Sequence, residues 1–405
     1  MESSVSSNNR FFTETSRERT ERVTQQSSFT DQKFNLLVIG SGTIGREHMR
    51  VATLLGRARV HGIYDKHENS MDIAEADFQT YSNEKLLRYA DLQSACGDSA
   101  IDAILICTPN FTHFEVMQEA LASQKPLFIE KPMATTLEDG ARMVELGESY
   151  PQFLQIGMQY RYKAQYIDAF YEAKHAGSLG EIKTIAMSEY RPPFLDKVEQ
   201  WNKFNEFSGG TLVEKCCHYF DLINLMADSK PISVYASGGR AVNFLDFEYK
   251  GRQSDIDDHS FVIINYANGI RASFTLNMFA HEYYEEMVVT GEQGRLVATE
   301  SATTNREEQS SAKLKIEVPG HQRYVVSDLT YPAVIERSGH HGATYFEHEA
   351  LVDKLEGKTV DAATPLQGLW AMLVASAAQQ SIAENRVIEL EEYAVQNGIG
   401  KLISR

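Results

Sequence analysis

Asn35-Leu36-Leu37-Val38-Ile39-Gly40-Ser41-Gly42-Thr43-Ile44-Gly45 decides how the rest of the chain is read. Five residues, four of them aliphatic, stop at a glycine, as a short buried strand of a parallel sheet does. Gly40, Gly42 and Gly45 then make G-x-G-x-x-G, which on its own is a weak signal and could be a turn with incidental glycines. Here it follows a strand and opens a helix over about 44–55, the context the motif requires. In that setting Gly40 permits the tight turn, Gly42 lets a pyrophosphate approach, and Gly45 lets helix and strand pack closely. Thr43 and Ile44 begin the helix, whose free amides and dipole favour an anion. A second strand over 60–64 ends at Asp65, about twenty residues beyond Gly45. A carboxylate there binds the adenosine ribose hydroxyls and repels a 2′-phosphate, so NAD is expected over NADP.

Outward from this unit, strands alternate with helices of about ten residues. Strands are expected near 80–81, over 103–107, over 126–129 and over 153–157, with helices near 70–77 and over 113–123 and 137–149 between them. That is a doubly wound α/β sheet, assigned to 33–157. Beyond a helix near 164–175 the pattern changes to longer β segments, 181–191, 232–242, 260–266 and 270–278. Asn268-Gly269 marks a tight hairpin, and Gly291-Glu292-Gln293-Gly294 a second. The expectation for 158–390 is an α+β domain, a largely antiparallel open sheet covered by helices over 211–227 and 366–384, the last partly packing back. Residues 1–32, Ser/Thr/Asn/Gln-rich with mixed Arg and Glu, are expected to be a disordered tail, and 391–405 a C-terminal one.

Composition narrows the classes. The chain has 405 residues, 42% of them apolar and 23% charged, and a net charge of −17. This is globular composition for two domains. So acidic a chain repels phosphate backbones, so neither nucleic acid nor an anionic membrane is an expected partner. No apolar run approaches the roughly 18 residues of a membrane span. The four cysteines form no CxxC, and no His/Cys spacing suits a metal; a reducing, cytoplasmic setting is expected.

Candidate site residues cluster where strands end. Thr108-Pro109-Asn110 closes the fourth strand and Glu130-Lys131-Pro132 the fifth, at the carboxyl edge where such sheets bind ligands. Glu214 and His218 stand four apart within Gly209-Gly210-Thr211-Leu212-Val213-Glu214-Lys215-Cys216-Cys217-His218 and share a helical face. A carboxylate one turn away could orient the imidazole for base chemistry, or the two could be a surface ion pair. Tyr160, Arg161, Trp201 and His341 are candidate substrate contacts; as a group such aromatics also fit a core.

Together, the dinucleotide fingerprint, Glu-Lys-Pro after the fifth strand and Gly-Gly-x-x-x-acid-x-x-x-His resemble the Gfo/Idh/MocA family of oxidoreductases. The resemblance runs from about residue 34 to 390 and includes Gly177–Ile182, the segment from Trp201 to Gly210, and His341-Gly342. It implies that Lys131, Glu214 and His218 form the catalytic group. Glu214 stands where the family usually has aspartate, and Cys216 where glycine is common. The implied activity is NAD-dependent oxidation of a secondary hydroxyl on a polyol, cyclitol or sugar by a homo-oligomer, dimer or tetramer. An NAD-dependent glycosidase, a carbonyl or imine reductase and a cofactor-sensing regulator are the alternatives.

Overall fold

The computed structural model describes residues 13–25, 33–304, 308–318, 324–327, 329 and 331–404. Strands β1 (Phe34–Ile39), β2 (Ala58–Tyr64), β3 (Leu87–Arg88), β4 (Ala103–Ile106), β5 (Leu127–Glu130) and β6 (Leu154–Gly157) form one parallel sheet in the order 3-2-1-4-5-6. β1, β4 and β5 are buried on both faces, which is why they read as unbroken apolar runs. The third strand is the one misplaced by the sequence reading. Residues 80–81 belong to the turn after a helix, and the edge strand is β3. At two residues, both exposed, it has too little pattern to announce itself.

Among the described residues the second sheet has nine strands, in the order β16-β15-β14-β13-β7-β12-β11-β8-β17. These are β7 (Ile182–Tyr190), β8 (Pro231–Gly239), β11 (His259–Tyr266), β12 (Arg271–Asn277), β13 (Tyr283–Gly291), β14 (Arg295–Ala302), β15 (Ser311–Glu317), β16 (Tyr324–Ser327) and β17 (Ile388–Glu389). A separate ribbon joins β9 (Glu248–Tyr249) and β10 (Arg252–Gln253). Only β7 and β12 run parallel; the other pairings are antiparallel. Gly269 (φ 89°) makes the β11–β12 turn.

Helix α1 (Ser16–Gln25) precedes the sheets, and α2 (Thr43–Leu55) follows β1. After the sheet helices Glu68–Phe78, Leu92–Gly97 and His113–Leu121, those that frame the site or complete the core are α3 (Leu137–Ser149), α4 (Ala164–Phe170), α5 (Thr211–Glu214), α6 (Cys217–Ala227), α7 (Ala343–Leu355), α8 (Pro365–Glu384), α9 (Leu390–Gln396) and α10 (Gly400–Ile403). α8 is the joint of the molecule. Thr364 and Gln367 cap its start reciprocally. Its flanks pack on α3 of the first sheet's layer and on β8 and α6 of the second.

Both expected tails need correction. α1 is ordered against the body. Asp168 accepts from the Ser16 amide (2.5 Å) and hydroxyl (3.0 Å), and Arg22 pairs with buried Glu349. Apolar residues are few in this segment, so a reading based on apolar content misses polar docking. Residues 1–12 and 26–32 lie outside the described residues. At the other end, α9 and α10 bury Leu390, Ala394, Leu402 and Ile403 and are part of the core. Among the described residues, no helix is long and apolar enough to cross a membrane.

Candidate active site

The glycine turn has the geometry its sequence demands. Gly40 takes φ 90°, and a Cβ there would lie 2.6 Å from the Cys107 carbonyl carbon. A Cβ on Gly45 would lie 2.0 Å from the Gly40 carbonyl oxygen, so α2 starts as close to β1 as backbone allows. Gly42, at the N-cap, faces open space, with nothing within 4 Å of where a Cβ would stand. Thr43 is exposed beside it and Ile44 is half-buried. This is a cradle shaped for a pyrophosphate at a helix N-terminus. Asp65, at the end of β2, accepts from the Ser41 amide (2.8 Å) and from the His67 amide (2.9 Å), which pins its carboxylate beside the turn. The residues present fit NAD.

The loops after β4 and β5 are held together by His113. Its ring nitrogens lie 2.8 Å from the Thr108 carbonyl and 2.9 Å from the Pro132 carbonyl. Asn110 is buried and reaches the Ser208 carbonyl at 3.5 Å, tying this edge to the second domain. Glu130 points away from the pocket, its Oε1 2.9 Å from His48 Nε2 on α2, while its Oε2 accepts from the Lys131 amide (3.1 Å). His48 Nδ1 lies 2.7 Å from His348 Nε2 on α7. A buried Glu130–His48–His348 chain thus joins the coenzyme helix, the Lys131 loop and the second domain. His48 carries no mark in the sequence beyond its helical position.

Lys131 reaches across the domain boundary and donates to the Glu214 carbonyl oxygen at 3.1 Å. The Gly209-Gly210 turn that sets up this contact is filled by the protein itself. A Cβ on Gly210 (φ 89°) would meet Gln379 Oε1 at 2.1 Å, and Gln379 Nε2 donates to the Gly209 carbonyl at 3.0 Å. These glycines admit a side chain of α8 rather than a ligand.

The expected single helix over 211–227 is two, α5 and α6, with a break at Lys215 and Cys216. That break changes the Glu214–His218 relation. The Glu214 carboxylate, buried, turns to Lys197 (3.5 Å), and no hydrogen bond joins it to His218 among the described residues. Burial works against its charge, yet Lys131, Lys197, Arg191 and Lys215 hold its pKa down at about 2. Reciprocally, Glu214 keeps Lys131 protonated against the cost of burial, raising its pKa. His218 is 1% exposed, and its Nδ1 has no hydrogen-bond partner among the described residues. Burial pulls its pKa well below the ordinary histidine range, and Lys131, Lys215, His340 and Lys163 add to the effect. The carboxylate therefore supports the charge of the lysine, and burial among cations keeps the imidazole neutral.

The four candidate substrate residues divide. Tyr160 stacks on His218, with centroids 4.0 Å apart and planes 6° apart. Arg161 spends its fork on Asp221, at 2.7 and 2.6 Å, and is buried, so it braces α6 instead of facing the pocket. Trp201 is buried with the Lys197 ammonium 4.6 Å over its ring. His341 sits in a left-handed turn (φ 56°), its Nδ1 3.4 Å from Glu300. Sequence reading missed Glu189, Glu285 and Glu300. Each is an acid on the buried phase of a strand, in step with Met187, Met287 and Ala298 respectively, and that signal was present.

The glycine cradle and the lysine–histidine pocket define a two-domain, NAD-binding oxidoreductase. Residues 34–158 match the family model described as an oxidoreductase family NAD-binding Rossmann fold, and 175–390 the C-terminal alpha/beta domain of the same family. The chain belongs to this Gfo/Idh/MocA family. It is 26% identical over 362 residues to an inositol 2-dehydrogenase of Rhizobium meliloti, covering 88% of this chain and 99% of that one. It is 24% identical over 361 residues to a myo-inositol 2-dehydrogenase of Thermotoga maritima, covering 88% and 98%. Among solved structures, levoglucosan dehydrogenase in complex with NADH and levoglucosan superposes with a TM-score of 0.73 at 18% identity, over 89% of this chain and all (100%) of that one. The myo-inositol dehydrogenase of Lactobacillus casei with NAD(H) and myo-inositol gives 0.68 at 22% identity, over 88% and 97%.

Proposed function

We propose that this NAD-dependent oxidoreductase oxidises a secondary hydroxyl of a polyol, cyclitol or sugar. The observation that carries the reading is the meeting of a buried, neutral His218 with a protonated Lys131 at the carboxyl end of β5, beside the glycine cradle. The named activities of the relatives agree with it. When bound, NAD supplies the hydride acceptor.

His218 accepts the hydroxyl proton, because its imidazole is unprotonated at neutral pH. Lys131 donates a hydrogen bond to the reacting oxygen and stabilises the negative charge that develops on it. Glu214 sustains the charge on Lys131 and takes up its surroundings' excess of cations. Asp65 binds the adenosine ribose, with Gly40, Gly42, Thr43, Ile44 and Gly45 as the pyrophosphate cradle and Thr108, Pro109 and Asn110 bordering the nicotinamide end, while Glu130 braces that edge from behind through His48. Trp201 and His341 border the substrate. The open face of the second sheet carries exposed Tyr235 and Ile263 directly opposite each other, with Ile232 and Phe261 nearby, which supports a homo-oligomer.

The test is NADH formation at 340 nm from NAD and a panel of cyclitols, polyols and aldoses, starting with myo-inositol and levoglucosan. Ketone formed together with NADH supports the reading. NAD binding with no NADH from any hydroxyl compound favours a regulator, and glycoside cleavage without net NADH favours a hydrolase.

A further inference from the structure

Three glutamates lie in one row across the second sheet. Glu285 on β13 is the direct partner of Glu300 on β14 and of Glu189 on β7, and all three are buried. Like charges directly opposite on one sheet face repel, and burial adds a desolvation cost, so such a row persists only if cations are built against it. Three are. Lys163 binds both oxygens of Glu285 (2.8 Å each) and one of Glu300 (2.6 Å), Lys215 lies 3.1 Å from Glu189, and Arg191 lies 3.8 Å from that same carboxylate. Tyr166 adds a hydroxyl to Glu285 at 3.0 Å.

The two lysine ammonium groups then converge on one ring. Lys163 Nζ stands 4.2 Å from the Tyr160 centroid, and Lys215 Nζ stands 4.5 Å from it while donating to the Tyr160 hydroxyl at 2.5 Å. Tyr160 carries His218 stacked on it at 4.0 Å. The order is therefore acid row, lysine pair, tyrosine, histidine. Among the described residues His218 Nδ1 has no hydrogen-bond partner, so no described carboxylate or carbonyl orients the ring from that side, and the stack is the contact that does.

We propose that Tyr160, anchored by Lys163 and Lys215 on the Glu189–Glu285–Glu300 row, is the positioning residue of the base His218, fixing its ring plane and keeping it dry. This rests on His218 being the base. It also replaces substrate stacking as the job of Tyr160. The groups facing His218 are Lys131 from the β5 end, Lys215 from the break before α6, Lys163 from the turn before α4 and His340 from the turn before α7. All four are cationic or can become so, and each disfavours the imidazolium. Removing the ring that shields His218 lets water in and raises its pKa.

The experiment is an NMR titration of the histidines in the full NAD-loaded chain, with the His218 signal assigned by its loss in His218→Ala. In the native protein His218 titrates well below the exposed histidines. Tyr160→Leu moves it upward toward them, and Tyr160→Phe, which restores the stack, brings it most of the way back. Tyr160→Met, which fills the space without a ring, also moves it upward and serves as the second test if the leucine variant does not fold. With an identified substrate, Tyr160→Leu lowers kcat about 10–100-fold, the cost of a misplaced base, with the KM for NAD unchanged. A His218 titration unmoved by loss of the Tyr160 ring, in Tyr160→Leu or Tyr160→Met, overturns the proposal. Retention of full kcat by His218→Ala overturns the base assignment instead, and the titration still reports whether the platform exists.

Discussion

The two halves of the site are made of different material. At the coenzyme end the working groups are backbone: Gly40, Gly42 and Gly45 matter for the side chains they lack. At the substrate end they are side chains from β5, α5, α6 and three neighbouring strands, and their charges are set by one another. A backbone device is local in sequence, so it can be read there and is unforgiving of any Cβ. A side-chain device is assembled by the fold. Single changes leave the fold standing and alter rate or pH dependence.

The harshest way to break this contrast is at the turn. Gly45→Val puts side-chain atoms where a Cβ alone would already lie 2.0 Å from a carbonyl oxygen, with no flexible neighbour to yield. It should abolish NAD binding and lower Tm sharply by calorimetry. Gly42→Ala, with open space around it, should keep Tm yet weaken NAD binding. Equal behaviour of the two would mean that the turn is not a cradle.

At the other end, His218→Ala and Lys131→Ala should keep Tm and NAD affinity within a few-fold while kcat falls by about 10²–10⁴. Glu214→Gln separates two assignments by the direction of a pH shift. The carboxylate raises the pKa of Lys131, so its loss should lower that pKa and move the basic limb of kcat/KM to lower pH. An acidic limb that moves instead would return Glu214 to His218. The smallest effect belongs to α1. Deleting residues 1–25 removes the Ser16–Asp168 and Arg22–Glu349 contacts and should cost about 1–3 kcal/mol of stability in denaturant titration, with kcat unchanged.

The same division explains what could be read in advance. The first sheet followed from apolar runs ending in glycine, proline or acid, and its one misplaced strand, β3, is two exposed residues long. Lys131 and His218 could be singled out because Glu-Lys-Pro stands at a strand end and the histidine follows a Gly-Gly turn, both in the order of the family the chain resembles. The partner of Glu214 could not. The spacing of 214 and 218 assumes one continuous helix, and nothing in the local pattern announces the break at Lys215 and Cys216. Arg161 was misjudged because its counterion, Asp221, lies 60 residues away in sequence. The α1 docking depends on hydrogen bonds to Asp168, 152 residues distant, which no local pattern encodes.

The most direct test of the central claim uses a substrate deuterated at the carbon that bears the hydroxyl. In a single turnover with excess enzyme and NAD, mass spectrometry of the reduced coenzyme should show one deuterium per molecule, with the ketone as the other product. In His218→Ala the labelled coenzyme should form at a rate lower by about 10²–10⁴. Reduced coenzyme without the label, or labelled coenzyme formed at the native rate without His218, would contradict the account.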